Sequence, residues 1–353
     1  MVKKSWIVKG IQGMKKFTLM VVLAMVGAGV SVLAQAPPEV SPATADAQQA
    51  TQPQAPTPHD VPANPFPAAN PKNFTSDTPT TAVVNDFLKT VWGYNDNLSW
   101  SVQAIQKTAA AGVVRVVVFV ANKTQPGKVT HNEFFITPDG KHAIADAVID
   151  FGAKPYADRR QLIEDRANGP AEGAAGKDFL MVEFGDLLNS QSKEVHATVS
   201  RLQKEFPQAR VVFENLPAVG NHFAFRAAAE GVCVRKAKGD AAFFTYAQAM
   251  YGKEQGLTSA TLEPALSAAV TAAGADPSTV AACADTQAAQ DDVKASIALG
   301  EAAGINQSAV LVVNGRVLPP ASVPYETLKQ VVAYQAQLDG IQVHVQPTLT
   351  TLN

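Results

Sequence analysis

Sulfur is scarce in this chain, whose 353 residues include two cysteines, Cys233 and Cys283. That excludes a cysteine-rich zinc site and a disulfide-dense mini-fold. Charge is thin and balanced, with 29 Lys and Arg against 31 Asp and Glu. A net charge of −2 gives no general attraction to nucleic acid or acidic lipid, and no block of like charge forms a tail. The histidines at 59, 131, 142, 196, 222 and 344 show no metal spacing such as His-x-x-x-His, so no metal or other cofactor is expected. Basic residues are not interleaved with aromatics, which argues against a nucleic-acid partner.

Apolar residues are plentiful instead, at 46%, and a chain of this length can bury two ordinary cores. At the N-terminus, Lys3, Lys4, Lys15 and Lys16 precede an apolar run from Phe17 to Leu33. Val32 and Ala34 stand where a signal peptidase reads small residues, so residues 1–34 are expected to be a signal peptide cleaved after Ala34. Cleavage after Ala36 would leave Pro37 first, and the competing reading is an uncleaved anchor near the lower length limit for a spanning helix. No cysteine follows the run, so a lipoprotein signal is absent, and Met14 offers a second start. The expected location is the periplasm or the outside of the cell, with no membrane span left after cleavage.

Residues 35–78 are rich in Pro, Ala, Gln and Thr, a composition that cannot offset its own ordering entropy, so a disordered linker is expected. Residues 79–156 read as a small α+β unit. Val83, Phe87, Leu88 and Val91 make one apolar helix face that ends at Gly93. Strand-like runs follow at Trp100 to Ile105, Val113 to Ala121, His131 to Ile136 and His142 to Phe151, with a hairpin turn at Pro138-Asp139-Gly140. Residues 157–176 read as a connecting helix, with Leu162 and Ile163 on one side, and a flexible Gly- and Ala-rich joint. The Gly-Lys of that joint lacks the other residues of a phosphate loop and precedes a strand, so nucleotide binding is not expected.

The stretch from Lys177 to Phe206 organises the rest. A buried-strand-like run, Phe179 to Phe184, meets Gly185-Asp186, and then Val195, Val199, Leu202 and Phe206 recur at helix spacing. A helix N-terminus at the end of a buried strand presents free N–H groups and partial positive charge, and so favours thiolates, phosphates or carboxylates. Arg210 to Leu216 is a second strand, residues 221–302 are Ala-rich and helical in pattern, and Val310 to Val313 with Val317-Leu318 flank a hairpin turn at Asn314-Gly315. Ser322 and Pro324 open a last helix carrying Leu328, Val331, Val332 and Leu338.

Val182-Glu183-Phe184-Gly185-Asp186 followed by a helix resembles the first strand and active-site helix of the DsbA-like branch of the thioredoxin superfamily. The resemblance implies an α/β thioredoxin-like domain over residues 177–346 with a long helical insertion at about 221–302, preceded by the small α+β domain. In order and architecture, that smaller unit is similar to the dimerisation domain of periplasmic disulfide isomerases, which implies a homodimer. The family's Cys-x-x-Cys falls on Asn189, Ser190, Gln191 and Ser192, so neither catalytic position carries sulfur. Its Thr and cis-proline fall on Ser308 and Ala309, and a trans bond is expected before Ala309 because a non-proline cis bond costs about 3 kcal/mol. The expected role is therefore non-catalytic, that of a peptide- or protein-binding, chaperone-like or scaffold protein of the cell envelope, with an extended polypeptide held near Asn189, Ser308 and Ala309.

Other chemistry is thinner. Asn189 and Ser190 are good helix caps. Ser190 to Lys193 matches Ser-x-x-Lys but lacks the partner motifs of serine enzymes of that type. Ser192 and His196 share a helix face, yet no acid is evident to orient the imidazole. Cys233 and Cys283 both fall in the helical insertion; in an exported chain they should be oxidised, and the resemblance strengthens that pairing. The rival reading is a thiol-disulfide oxidoreductase or isomerase working through Cys233 and Cys283, or through a partner's cysteines.

Overall fold

The computed structural model describes residues 64–145, 148–251, 253 and 257–343. The expected signal segment, residues 35–63 of the linker and residues 344–346 lie outside the described residues. Chain contacts divide the described residues into one unit of 64–85 and 96–149, and another of 86–95 and 150–343.

The first unit is built on an antiparallel meander. Strands β1 (Leu98–Lys107), β2 (Val114–Asn122), β3 (Val129–Ile136), β4 (His142–Ile144) and β5 (Val148–Asp150) lie in that order in one sheet. Val116, Val118 and Val120 are buried on one face of β2, as period-two alternation requires. The run expected as one strand from His142 to Phe151 is two short strands. Between β3 and β4 the Gly140 N–H donates to Thr137 O at 3.0 Å, closing the hairpin turn. Helix α1 (Thr81–Trp92) begins in this unit, and its residues from Asp86 onward group with the second.

Composition placed residues 64–78 in a disordered linker, but they are laid along β1. The N–H groups of Thr75 and Ser76 donate to Ile105 O at 2.9 and 3.1 Å, and Asn70 caps a 3-10 turn at Pro71–Asn73. A sheet edge with free carbonyls supplies the partner that the segment lacks on its own.

The second unit holds α2 (Ala157–Arg166), β6 (Ala171–Gly173), β7 (Leu180–Gly185), α3 (Ser190–Glu205) and β8 (Arg210–Asn215). Five helices follow: α4 (His222–Lys238), α5 (Asp240–Tyr251), α6 (Ser259–Ala272), α7 (Pro277–Ala284) and α8 (Gln287–Ala302). Strands β9 (Val310–Val313) and β10 (Arg316–Leu318) and helix α9 (Tyr325–Leu338) complete it. The sheet order is β10-β9-β7-β8-β6, with β7 and β8 parallel and every other pair antiparallel. A parallel β-α-β unit, a helical insertion and a β-hairpin leading to a helix make the thioredoxin-like arrangement, with extra helices between its halves. Central β7 is buried at every position, so it reads as a continuous apolar run broken only by Glu183.

The Gly- and Ala-rich joint is not wholly flexible, since Ala171–Gly173 pairs with β8 as an edge strand. The Phe213 N–H donates to Pro170 O at 2.9 Å, a partner that is distant in sequence. The β9–β10 turn has φ of 44° at Asn314 and 86° at Gly315, the left-handed pair that an Asn-Gly hairpin provides. The helical insertion carries its own core, with Phe243, Tyr246, Leu266, Val270 and Val293 buried together with Cys233. Among the described residues no helix is long and apolar enough to cross a membrane.

Candidate functional site

The carboxyl end of β7 delivers the chain to the N-terminus of α3. Gly185 is the last residue of the strand, and a Cβ there would lie 2.6 Å from the Phe213 ring. Asp186 then ties the turn together: its Oδ1 accepts from the Leu188 N–H at 2.8 Å and its Oδ2 from the Ala218 N–H at 3.0 Å. Asn189 is the N-cap of α3, its side chain accepting from the Gln191 N–H at 2.8 Å. Ser190 and Gln191 occupy the first turn and are exposed, whereas Ser192 is fully buried. The Ser192 Oγ accepts from the Asp186 N–H at 3.0 Å, so the hydroxyl locks the turn and does not face a substrate.

Phe184 pairs with Val310, so the register sets Ala309 beside Gly185 at the same end of the sheet. The Ser308–Ala309 peptide is cis, which corrects the expectation of a trans bond. A local preference of about 3 kcal/mol is small beside tertiary packing, and here Ala309 is buried at the start of the β9 ladder.

An acid for His196 exists, contrary to the sequence reading. Glu183, wholly buried in β7, places Oε2 at 2.9 Å from His196 Nδ1. The imidazole stacks on Phe244 at 6.1 Å between ring centroids, and packs against Tyr251 at 5.5 Å and Phe213 at 6.3 Å. Burial raises the Glu183 pKa against the lowering effect of His196. Burial lowers that of His196, but the hydrogen bond and charge of Glu183 outweigh it, and the imidazole is raised. Both groups therefore hold protons more tightly than in water. Glu183 Oε1 and the Tyr251 hydroxyl are buried with no hydrogen-bond partner among the described residues. Glu183, Ser192 and His196 bring the residue types of a Ser-His-Glu set into one region, yet Ser192 is buried and its oxygen is already engaged, so no accessible nucleophile results.

The two cysteines are joined, with an S–S distance of 1.98 Å across a separation of 50 residues. Cys233 is buried within α4, and Cys283 lies in the last turn of α7. The carbonyl end of a helix disfavours a thiolate, the reverse of what a reactive cysteine needs.

Sequence reasoning missed Glu183 and Asp186 as organising groups. Glu183 was the one charge in an otherwise apolar strand, and that was the signal available. Tyr251 gave none, because its hydroxyl approaches the site only through the fold.

Fold and site together define a thioredoxin-like domain whose strand-to-helix turn presents an amide cap and a buried hydroxyl, with its sulfur stapled elsewhere. No family model matches the chain, and no curated protein does either. Among solved structures it is similar to a thioredoxin-like oxidoreductase from Silicibacter pomeroyi, at 20% identity and a TM-score of 0.43 over 50% of this chain and 98% of that one. A periplasmic thioredoxin-like protein from Salmonella enterica serovar Typhimurium matches at 18% identity and 0.43, over 51% of this chain and 96% of its own. The thiol-disulfide exchange protein alpha-DsbA2 from Wolbachia pipientis matches at 14% identity and 0.44, over 51% and 95%. The topology assigned above rests on the strands and their register in this chain.

Proposed function

We propose that this is an exported thioredoxin-fold protein that binds extended polypeptide and does not exchange disulfides. One observation carries the reading: Asn189 and buried Ser192 stand where a dithiol would, while the cysteines are joined at 233 and 283. A hydroxyl or amide at a helix N-terminus does not attack a disulfide, whose exchange requires a thiolate. The binding half is supported by the rim of the same end of the sheet. Leu188 and Phe223 are half-buried, and Val219 is fully exposed on a loop fastened to Asp186 through Ala218. Asn189, Ser308 and Ala309 lie at this end, where the Ser308 backbone and the Asn189 side chain would meet an extended chain. Export to the periplasm rests on the basic and apolar N-terminal pattern, and a homodimer would form through the meander unit.

The test is two assays on the purified protein. Insulin reduction should be nil, and a permanently unfolded, carboxymethylated polypeptide should be retained with saturable affinity. A covalent mixed disulfide trapped during turnover overturns the first half. Failure to retain any unfolded polypeptide overturns the second.

A further inference from the structure

Strand β8 ends in Glu214 and Asn215, beside a cavity of about 240 Å³ walled by apolar Val232 and Phe243. Open α/β sheets place ligands at the carboxyl ends of their parallel strands, which is where this cavity lies. Asn215 lines it and is 3% exposed, and its Oδ1 is buried with no hydrogen-bond partner among the described residues. Buried polar atoms are nearly always satisfied, so an orphan on a cavity wall points to a donor supplied from outside the chain.

The charged groups of the wall other than Arg166 are already engaged. Glu214 Oε1 accepts from the N–H groups of Asn168 and Gly169 at 2.8 Å each, and the Ser296 hydroxyl donates to Oε2. Arg235 pairs with Asp240 at 2.6 Å, and Lys236 with Asp292 at 2.7 Å. Arg166, exposed at the end of α2, lines the same cavity and has no ion pair or hydrogen bond among the described residues. The cavity thus offers one unmatched acceptor inside and one unmatched cation at its edge. Burial also pushes the Glu214 carboxyl up, which reduces the negative charge an anionic guest would meet.

We propose that this cavity binds a small organic carboxylate that also carries an amide or hydroxyl, its carboxylate meeting Arg166 and its donor meeting Asn215 Oδ1. A peptide C-terminus has that pairing of groups, and the cavity admits one or two residues of it. The cavity lies on the β8 side of the same end of the sheet and shares no lining residue with the polypeptide-binding rim at Asn189.

N-acetylglycine is the probe, with N-acetylglycinamide as the neutral control, titrated into isotope-labelled protein and followed by the Asn215 side-chain and Gly169 backbone resonances. The acid should give saturable shifts in the millimolar range, and the amide should bind about tenfold more weakly, since it loses the charge-assisted contact. Arg166→Gln, a change at an exposed residue, should weaken the acid about tenfold and leave the amide unaffected. Asn215→Ala should weaken both ligands. No saturable shift in the wild-type protein overturns the proposal, and so does equal binding of acid and amide or an unchanged affinity in Arg166→Gln.

Discussion

Replacing His196 by Phe keeps a ring among Phe213, Phe244 and Tyr251 but takes away the hydrogen-bond partner of Glu183. Glu183 Oε1 has no partner among the described residues, so the substitution leaves the whole buried carboxyl unmatched. Removing one member of a buried pair costs about 3–5 kcal/mol when the other stays charged. Glu183 can escape by taking a proton, since burial already raises its pKa; the cost is then that of an unsatisfied neutral group, about 1–3 kcal/mol. The loss in His196→Phe should therefore be about 3 kcal/mol at pH 5, where the His196 contribution is complete, and smaller at pH 8. The wild-type protein has its own slope. Both groups have raised folded values, so the native state binds more protons and stability falls as pH rises. The His196 contribution is complete below its unfolded value of about 6.5 and is lost as pH climbs through the raised folded one. Urea unfolding followed by circular dichroism at pH 5, 6.5 and 8 reads both effects. A double variant, Glu183→Gln with His196→Phe, should lose this slope and cost less than the two single changes added together. A His196→Phe protein within about 0.5 kcal/mol of wild type at pH 5, or strict additivity in the double variant, would refute the coupling.

Three further outcomes are expected. Replacing Cys233 and Cys283 by Ala opens a loop of 50 residues and should lower stability by about 4 kcal/mol in the chain-entropy treatment; a loss under about 1 kcal/mol by urea unfolding contradicts the staple. Asp186→Ala strips acceptors from the N–H groups of Leu188 and Ala218, costing about 2 kcal/mol, and the Ala218 amide should exchange faster with solvent. Unchanged exchange there means the loop is held by something else. Installing Cys at both 189 and 192 should create insulin-reducing activity, because a thiol at the α3 N-terminus gains thiolate character; an inactive variant that still forms its disulfide would show that the turn lacks more than sulfur.

Much of the second unit was legible because its signals are local. The apolar run before Gly185-Asp186, the spacing of Val195, Val199 and Leu202, and Asn314-Gly315 each specify an element without outside help, and β7, α3 and the β9–β10 hairpin stand within a residue or two of where those signals put them. The Asn189 cap was readable for the same reason. The candidate site was only half legible. Its lack of thiols followed from counting two cysteines, but the engagement of Ser192 by Asp186 depends on a turn geometry that spacing along a helix does not reveal.

By itself the sequence determined element types and the sulfur-free strand-to-helix turn, because periodicity, capping and composition act over a few neighbouring residues. Tertiary structure decided which distant groups meet. It set His196 against Glu183, gave residues 74–76 a partner in Ile105, paired Ala171–Gly173 with β8, fixed the Ser308–Ala309 bond as cis and left Asn215 unmatched on a cavity wall. Local preferences amount to a kcal/mol or so per residue and yield to packing, which is summed over every neighbour that the fold brings in.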